Sequence, residues 1–206
     1  MAFAHPARSV WYAAYGSNLS WERFRCYLHG GRPPHGNRIY PGSRDPSDPL
    51  GSRQSWLPCG FGFARQSAVW GGGVAFVDPQ RAGRTPVRLW QITIEQFLDV
   101  FAQENRLEDP PGLDIEVDQG SMSHVTDSWY GSVMRAADHD SSPVLTFTAA
   151  TAAPAAEPTL AYLEAMVVGL GESHGWDRAT AVEHLCDAPG MQRWDPVGLV
   201  SALGKR

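Results

Sequence analysis

The stretch VWYAAYGSNLS, residues 10–20, joins an apolar aromatic run directly to a short polar turn. Residues 10–15 predict a short buried strand, because the run is aromatic, begins with a β-branched residue and stops at Gly16. The following residues 20–29, SWERFRCYLH, predict a helix with Ser20 as its N-cap and the pair Gly30-Gly31 as its end. Residues 15–19 therefore form a tight loop that connects a strand to a helix.

The composition favours one loop-rich domain over residues 1–206. A chain of 206 residues can bury one good core or two small ones, and its 21 glycines and 16 prolines indicate many turns. A net charge of −5 without a cluster of Lys or Arg argues against nucleic acid or a membrane as a partner. Three widely spaced cysteines and no apolar run long enough for a signal peptide or a span lead us to expect a cytoplasmic protein.

The order of predicted elements is mixed. Strand-like runs occur at residues 56–65, 72–77 and 87–92, and residues 129–136 and 144–148 look like a hairpin pair. Residues 94–105 predict a helix that opens with a Thr93–Gln96 capping box, and residues 158–206 form a helical C-terminal segment. The prolines and missing periodicity of residues 31–55 predict a long surface excursion or a mobile flap, and residues 106–128 predict an acidic insertion without regular structure.

Glu104 occupies an unusual position for a carboxylate. It follows Phe97 by seven residues, so it projects within about 20° of the apolar stripe of its helix. In one interpretation Glu104 lies at a frayed helix end, where its carboxylate reaches water or pairs with Arg106. In the other it is a desolvated general acid or base beside Phe97 and Phe101. The residues alone leave both interpretations open.

Two glycine-containing features have similar pairs of interpretations. The loop at residues 15–19 is either a plain turn or a cradle for an anion, because backbone N–H groups at a helix start point the same way. Gly72 and Gly73 permit either close approach of another backbone segment or passage of a substrate over bare backbone. Neither Gly71-Gly72-Gly73 nor Gly60-Phe61-Gly62 leads into a helix, as a dinucleotide-binding fingerprint requires.

Other common chemistries lack their sequence patterns. The seven histidines show no ligand spacing such as H-E-x-x-H, no G-x-S-x-G occurs, and no cysteine has a local nucleophile signature. We therefore expect no metal, no cofactor and no enzyme nucleophile.

The pentapeptide YGSNL at residues 15–19, followed later by a helix ending in Glu104, resembles the γ-glutamylcyclotransferase family. Gly72-Gly73-Val74-Ala75, the Trp90 strand, Trp129-Tyr130 and a late Pro158, Tyr162 and Gly169 follow in the order typical of that family. The resemblance spans about residues 11–171. It implies an α+β fold in which helices pack outside a small, mixed, partly closed β-barrel.

The resemblance also implies an activity. Such an enzyme cleaves a γ-glutamyl amide to 5-oxoproline and a free amine, with Glu104 as general acid and base and a small-molecule substrate. By the same resemblance, the residues that bind the substrate are Tyr15, Gly16, Ser17, Asn18, Leu19, Gly72, Gly73, Tyr130 and Tyr162. Two alternatives stay open: a non-catalytic small-molecule binding module of the same fold, and a related amide hydrolase or acyltransferase acting on an amine metabolite. The oligomeric state is also open, with a homodimer as one alternative.

Three departures from the family pattern concern the site. Asn105 stands where the family usually has Gly after its Glu, and Asn retains access to left-handed dihedrals. Phe147 stands where a Tyr is common, so a hydroxyl is missing there. The acidic insertion is either a solvated loop or a negative rim that favours a cationic leaving amine.

Overall fold

A computed structural model of the protein describes residues 9–34, 36, 38–111, 118–151 and 153–205. These residues form strands and helices in a mixed order. The strands are β1 Ser9–Ala14, β2 Gly51–Leu57, β3 Gly60–Ser67, β4 Gly72–Asp78, β5 Thr85–Thr93, β6 Met122–His124, β7 Ser132–Arg135 and β8 Val144–Thr148. The helices are α1 Trp21–His29, α2 Ile94–Asn105, α3 Leu160–His174, α4 Arg178–Cys186 and α5 Pro196–Leu203.

Strand β1 lies inside the main sheet and is buried on both faces. It pairs antiparallel with β5 and parallel with β8. Val10, Tyr12 and Ala14 belong to the core on the side of α1 and α2, whereas Trp11 and Ala13 belong to the core on the side of the β3–β4 hairpin and α3. Alternate residues point to opposite faces of a strand, so a doubly covered strand must be apolar throughout. The predicted buried strand is confirmed.

The main sheet has six strands in the order β2-β5-β1-β8-β7-β6, and β3 and β4 form a separate hairpin. Side chains connect the two: Thr148 Oγ1 donates to the Val77 carbonyl at 2.6 Å, and the Tyr130 hydroxyl donates to the Ala75 carbonyl at 3.1 Å. A mixed α+β architecture is therefore confirmed. The hydrogen-bonded pairing of the described residues does not close the sheet, so the partly closed barrel is not confirmed.

The predicted strand at residues 56–65 is in fact two strands. β2 ends at Leu57 and β3 begins at Gly60, because Pro58 and Cys59 turn the chain between them. The hairpin prediction is confirmed for β7 and β8, which pair antiparallel.

Much of the segment at residues 31–55 is fastened to α2, whose predicted capping box at Thr93 and Gln96 is present. Asp99 of α2 accepts hydrogen bonds from the Arg44 backbone N–H and from Arg44 Nε, both at 2.9 Å. Gln96 Nε2 donates to the carbonyls of Asp45 and Ser47. These contacts hold residues 44–47 of the segment against α2. His35 and Asn37 lie outside the described residues.

The predicted acidic insertion contains a short strand, β6, paired antiparallel with β7. Residues 112–117, including Asp114 and Glu116, lie outside the described part of the chain. The predicted helical segment at residues 158–206 holds α3, α4 and α5, although the sequence pattern did not predict α5 as a helix of its own. No helix among the described residues is both long and apolar enough to cross a bilayer.

Candidate active site

The loop after β1 is a single 3₁₀ turn over Ser17–Leu19. The Leu19 N–H donates to Gly16 O at 3.0 Å and the Ser20 N–H donates to Ser17 O at 3.2 Å, so both amides are used inside the turn. Neighbouring elements hold the turn from outside. Trp90 Nε1 donates to the Asn18 carbonyl at 3.0 Å, and Arg88 Nη1 donates to the Leu19 carbonyl at 3.0 Å.

The start of α1 is capped by a residue from α3. Ser20 occupies the predicted N-cap position, but its side chain bonds no N–H of the helix. Glu172 accepts from the Trp21 backbone N–H at 2.8 Å and from Ser20 Oγ at 3.3 Å, and it forms an ion pair with Arg88 at 2.6 Å. A carboxylate at a helix N-terminus is favourable, because it meets unpaired N–H groups and the positive end of the dipole. The cap therefore also fixes α3 against the loop.

Asn18 joins the loop to the carboxylate that the sequence singled out. Its Nδ2 donates to Glu104 Oε1 at 3.0 Å and lies 3.3 Å from the Tyr12 hydroxyl. Asn18 is almost fully buried, Glu104 is half-buried in the last turn of α2, and Asn18 Oδ1 has no partner among the described residues. The two features, 86 positions apart in the chain, form one site.

A cavity of about 230 Å³ opens beside this contact. Seven of the residues singled out in the sequence line it: Tyr15, Gly16, Ser17, Asn18, Glu104, Tyr130 and Tyr162. Leu19, Gly72 and Gly73 do not line it. Leu19 is instead buried against α3, where a Cβ on Gly169 would meet the Leu19 Cβ at 2.4 Å.

Gly72 and Gly73 lie where another chain segment crosses β4. A Cβ on Gly73 would be 2.0 Å from the Ala156 carbonyl oxygen, and one on Gly72 would be 2.8 Å from the Glu157 carbonyl oxygen. The Gly73 N–H donates to the Glu157 carbonyl at 2.7 Å. Their positions support the close-approach interpretation rather than contact with a substrate.

The peptide groups of Ala75, on β4, hold two of the tyrosines. The Ala75 N–H donates to the Tyr162 hydroxyl at 3.0 Å, and the Tyr130 hydroxyl donates to the Ala75 carbonyl at 3.1 Å. The Tyr15 hydroxyl donates to the Phe147 carbonyl at 2.7 Å. The hydroxyl protons of Tyr15 and Tyr130 are thus engaged by backbone, whereas those of Tyr12 and Tyr162 have no acceptor in the described ranges.

All four of these tyrosines are held neutral by their surroundings. Burial raises the pKa of Tyr12 and Tyr162, and the nearby Glu104 carboxylate raises both further. Burial is also the largest cause of the raised pKa of Tyr15 and Tyr130. Tyr12 and Tyr162 can therefore act at neutral pH as hydrogen-bond donors to a ligand, not as anions.

Asn105 acts through its side chain and not through unusual dihedrals. Its Nδ2 donates to the Phe101 carbonyl at 3.0 Å, and its Oδ1 accepts from the Tyr130 N–H at 2.8 Å. The left-handed residue that ends α2 is Arg106, with φ 56°. The explanation that Asn105 replaces a family Gly by keeping left-handed dihedrals is therefore wrong. Asn105 ties the end of α2 to the segment that carries Tyr130.

Phe147 brings no hydroxyl, but Tyr12 does. Phe147 lines the cavity and stacks on Tyr12 with ring centroids 5.2 Å apart. The Tyr12 hydroxyl lies beside Asn18 and next to the Phe147 ring, so it supplies a phenol in the region where Phe147 lacks one. Sequence reasoning missed Tyr12 because it looked like part of a buried strand.

Arg23 is the second residue that sequence reasoning missed. It lies in α1 with 4% of its surface exposed, and it lines the same cavity. Its Nη2 contacts the hydroxyls of Tyr27 and Tyr40, whereas Nε and Nη1 have no partner among the described residues. One sequence feature could have indicated Arg23: it lies in the predicted helix next to Phe24, a residue of the type that packs into the core.

Arginines dominate the charge of the cavity. Arg23, Arg38 and Arg106 line it, and Glu104 is the one carboxylate among the described lining residues. The described acidic residues of the insertion, Glu108, Asp109, Asp118 and Asp127, are absent from the lining. The negative rim, one of the two alternatives that the sequence left open, is therefore not found within the described residues, and Asp114 and Glu116 lie outside them.

Comparisons with known proteins bear on the fold. No protein-family model matches the chain. The sequence is 36% identical over 185 residues to histone deacetylase 5 from Arabidopsis thaliana, with 79% of this chain aligned. The chain spans only 28% of the length of that protein, which is too little to transfer its named activity.

Among solved structures, a gamma-glutamyl cyclotransferase superposes with a TM-score of 0.53 and 16% identity, covering 97% of this chain and 100% of that chain. The chain has a γ-glutamyl cyclotransferase-like fold. An uncharacterised protein from Homo sapiens superposes with a TM-score of 0.49 and 17% identity, covering 81% of this chain and 80% of that chain. At these identities the γ-glutamyl cyclotransferase-like likeness concerns the fold, and the reaction has to be argued from the site.

Proposed function

We propose that the protein is a γ-glutamyl cyclotransferase, which converts a γ-glutamyl amide to 5-oxoproline and a free amine. The observation that carries this proposal is the 3.0 Å contact between Asn18 Nδ2 and Glu104 Oε1 at the wall of a small cavity. It joins a polar turn to a half-buried carboxylate on the scaffold of a γ-glutamyl cyclotransferase-like fold. A proton shuttle beside backbone donors is what this reaction requires.

The reaction needs no nucleophile from the protein. The α-amine of the glutamyl group attacks its own γ-carbonyl carbon, a new C–N bond forms, and the bond to the leaving amine breaks. The protein has to hold the substrate in a ring-closing conformer, and effective molarity can be worth about 7–11 kcal/mol in such a case.

In this proposal Glu104 moves the proton. It accepts a proton from the attacking α-amine and gives a proton to the departing amine, so one carboxylate serves as base and then as acid. Asn18 supports the same step in two ways. Its Nδ2 orients the carboxylate at 3.0 Å, and its Oδ1, which has no partner among the described residues, is an acceptor for an N–H of the substrate.

Neutral donors stabilise the charge that develops on the γ-carbonyl oxygen. Tyr12 and Tyr162 line the cavity, and neither hydroxyl proton has an acceptor among the described residues. A well-placed donor to a developing oxyanion is worth about 2.7–4 kcal/mol. The Ser17 backbone N–H is directed at the Tyr162 hydroxyl, and the Leu19 and Ser20 amides have partners inside the turn, so in this proposal the Gly16 and Asn18 amides are the further donors.

The charge of the outer cavity bears on the leaving amine. Arg38 and Arg106 line the cavity, and both also line the adjoining recess next to Glu108. Two exposed or half-exposed cations favour an anionic or neutral leaving group over a cationic one through long-range attraction that salt weakens. We therefore expect the opposite of the cationic leaving amine that a negative rim would favour.

The test is incubation with γ-glutamyl amides of three matched amines, anionic, neutral and cationic, followed by mass spectrometry of the products. We expect 5-oxoproline and free amine in equal amounts, and a higher kcat/KM for the anionic amide that falls as salt is added. Free glutamate in place of 5-oxoproline would indicate hydrolysis, and the absence of any product would indicate a binding module. A preference for the cationic amide would overturn the charge argument alone.

A further inference from the structure

The side chain of Arg23 is a buried cation without an ion-pair partner among the described carboxylates. Only 4% of its surface is exposed, and it forms no ion pair with any described residue. Its guanidinium carbon lies 5.3, 4.6 and 5.1 Å from the ring centroids of Tyr27, Tyr40 and Trp70. Aromatic faces attract a cation, but they do not satisfy the N–H donors of a guanidinium.

Two donor nitrogens of Arg23 are left unsatisfied. Nη2 contacts the hydroxyls of Tyr27 and Tyr40, whereas Nε and Nη1 have no partner in the described ranges. Nε and Nη1 do not share one fork of the guanidinium, but each can donate a single charge-assisted hydrogen bond to a carboxylate oxygen. Burial lowers the pKa of Arg23, but Tyr27, Tyr40 and Glu104 outweigh it and the pKa is raised, so Arg23 stays charged.

Arg23 and Glu104 line the same cavity and are close enough for the Glu104 charge to act on Arg23. An α-amino acid head carries its carboxylate and its amine on one carbon, so their two receptors must be neighbours of opposite charge. Among the described lining residues, Glu104 is the one anion, and Arg23 is the buried cation on the wall. The pair therefore matches an α-amino acid head in charge.

We propose that Arg23 binds the α-carboxylate of the substrate, an inference that rests on the γ-glutamyl cyclotransferase function proposed above. The α-amine then lies beside Glu104, which takes its proton, and the Gly16 and Asn18 amides are left for the oxyanion of the γ-carbonyl. The site selects amides whose acyl group carries a free α-carboxylate. An acyl group without it lacks the group that Arg23 recognises.

The test uses two amides of the same amine, one γ-glutamyl and one 4-aminobutanoyl. The second lacks only the α-carboxylate, and its cyclisation releases 2-pyrrolidinone in place of 5-oxoproline. In Arg23→Met we expect kcat/KM for the γ-glutamyl amide to fall about 10- to 100-fold, the range for a lost hydrogen bond to a charged group, and that for the 4-aminobutanoyl amide to change by less than about 3-fold. Arg23→Lys should recover part of the loss.

The matched control is Arg25→Met on the same helix, because Arg25 is exposed and pairs with Glu22. It should change neither substrate. Equal losses for both amides in folded Arg23→Met, or no loss for either, would overturn the assignment.

A binding measurement separates this inference from the proposed reaction and does not depend on turnover. Isothermal titration of the wild-type protein should detect 5-oxoproline, which has the carboxylate, and at least about 10-fold weaker binding of 2-pyrrolidinone, which lacks it. If no amide is turned over but this difference is present, and is reduced in Arg23→Lys or lost in Arg23→Met, the reaction fails and the carboxylate site stands. Equal affinity of the wild type for both lactams overturns the carboxylate site, even if Arg23→Met does not fold.

Discussion

Asn18 links the turn after β1 to Glu104 and to the Tyr12 hydroxyl. Its backbone carbonyl is held by Trp90, its Nδ2 contacts both Glu104 and the Tyr12 hydroxyl, and its Oδ1 is free among the described residues. An amide is the suitable side chain there because it donates to a carboxylate and still offers an acceptor. An acid of the same shape would place a second negative charge 3.0 Å from the first.

Asn18→Asp should therefore shift the pH profile. Two carboxylates at hydrogen-bond distance resist joint ionisation, so the base form of the pair is reached only at higher pH. We expect the acidic limb of the kcat/KM profile for 5-oxoproline release to move upward and the plateau to fall. Tyr12→Phe is the control for the position of the limb, since it removes the other partner of Asn18 without adding charge: its plateau should fall, because Tyr12 is a proposed oxyanion donor, but its acidic limb should not move. An unchanged limb in Asn18→Asp would contradict the proposed coupling of Asn18 to the proton shuttle.

At the scale of elements, α3 sets the position of the turn. Glu172 caps α1, and Gly169 lies against Leu19 and Ser20 with no room for a methyl group. A Cβ at Gly169 would be 2.4 Å from Leu19 Cβ and 2.5 Å from the Ser20 amide nitrogen. A Cβ at Gly171, two residues further along the same helix, would have its nearest contact at 3.4 Å, with the Trp176 carbonyl oxygen.

Alanine substitutions at Gly169 and Gly171 test whether α3 positions the turn. Gly169→Ala should lower the free energy of unfolding by about 1–3 kcal/mol, because α3 must move away from the turn, and should also reduce turnover. Gly171→Ala should be neutral or stabilising by up to about 1 kcal/mol, because alanine favours the helix. Urea unfolding and 5-oxoproline release measure both effects. Equal behaviour of the two variants would show that α3 does not position the site through Gly169.

The same elements show what sequence could and could not predict. Local patterns were sufficient for the buried β1 strand, the capping box at Thr93 and the helix that ends in Glu104. The role of Arg88 and Glu172 was not predictable, because these residues meet across 84 positions and only the fold makes them neighbours. Gly72 was given a substrate role by the family resemblance, whereas bare backbone is compatible with both interpretations, and the crossing of residues 156–157 was not visible in the sequence.

At the scale of the whole molecule, an aromatic cluster around two histidines predicts sensitivity to acid. His174 and His184 pack with Trp56 and Trp176, and burial lowers the pKa of both. For His184, Asp187 opposes the shift and His174 adds to it, while Nε2 has no partner in the described part of the chain. A histidine whose folded pKa lies below its unfolded value of about 6.5 prefers to be neutral in the fold.

Acid is therefore expected to destabilise the fold through His174 and His184. Stability from these histidines is fully present above pH 6.5, where the unfolded state is also neutral, and is lost as the pH falls toward the folded pKa values. The free energy of unfolding in urea should therefore fall between pH 7.5 and pH 5, and less steeply in His184→Phe, whose ring keeps the stacking on Phe61. A slope as steep in the variant as in the wild type would contradict a contribution from His184.

The central claim is that Glu104 moves protons while the substrate cyclises on itself. The most direct measurement compares wild type and Glu104→Gln with one γ-glutamyl amide and quantifies 5-oxoproline and amine, with circular dichroism to confirm folding. Glutamine can still accept from Asn18 but cannot carry the proton. We predict equal amounts of the two products from the wild type and a loss of about 10²- to 10⁴-fold in kcat for the variant. Turnover by folded Glu104→Gln within a few-fold of wild type would contradict the account.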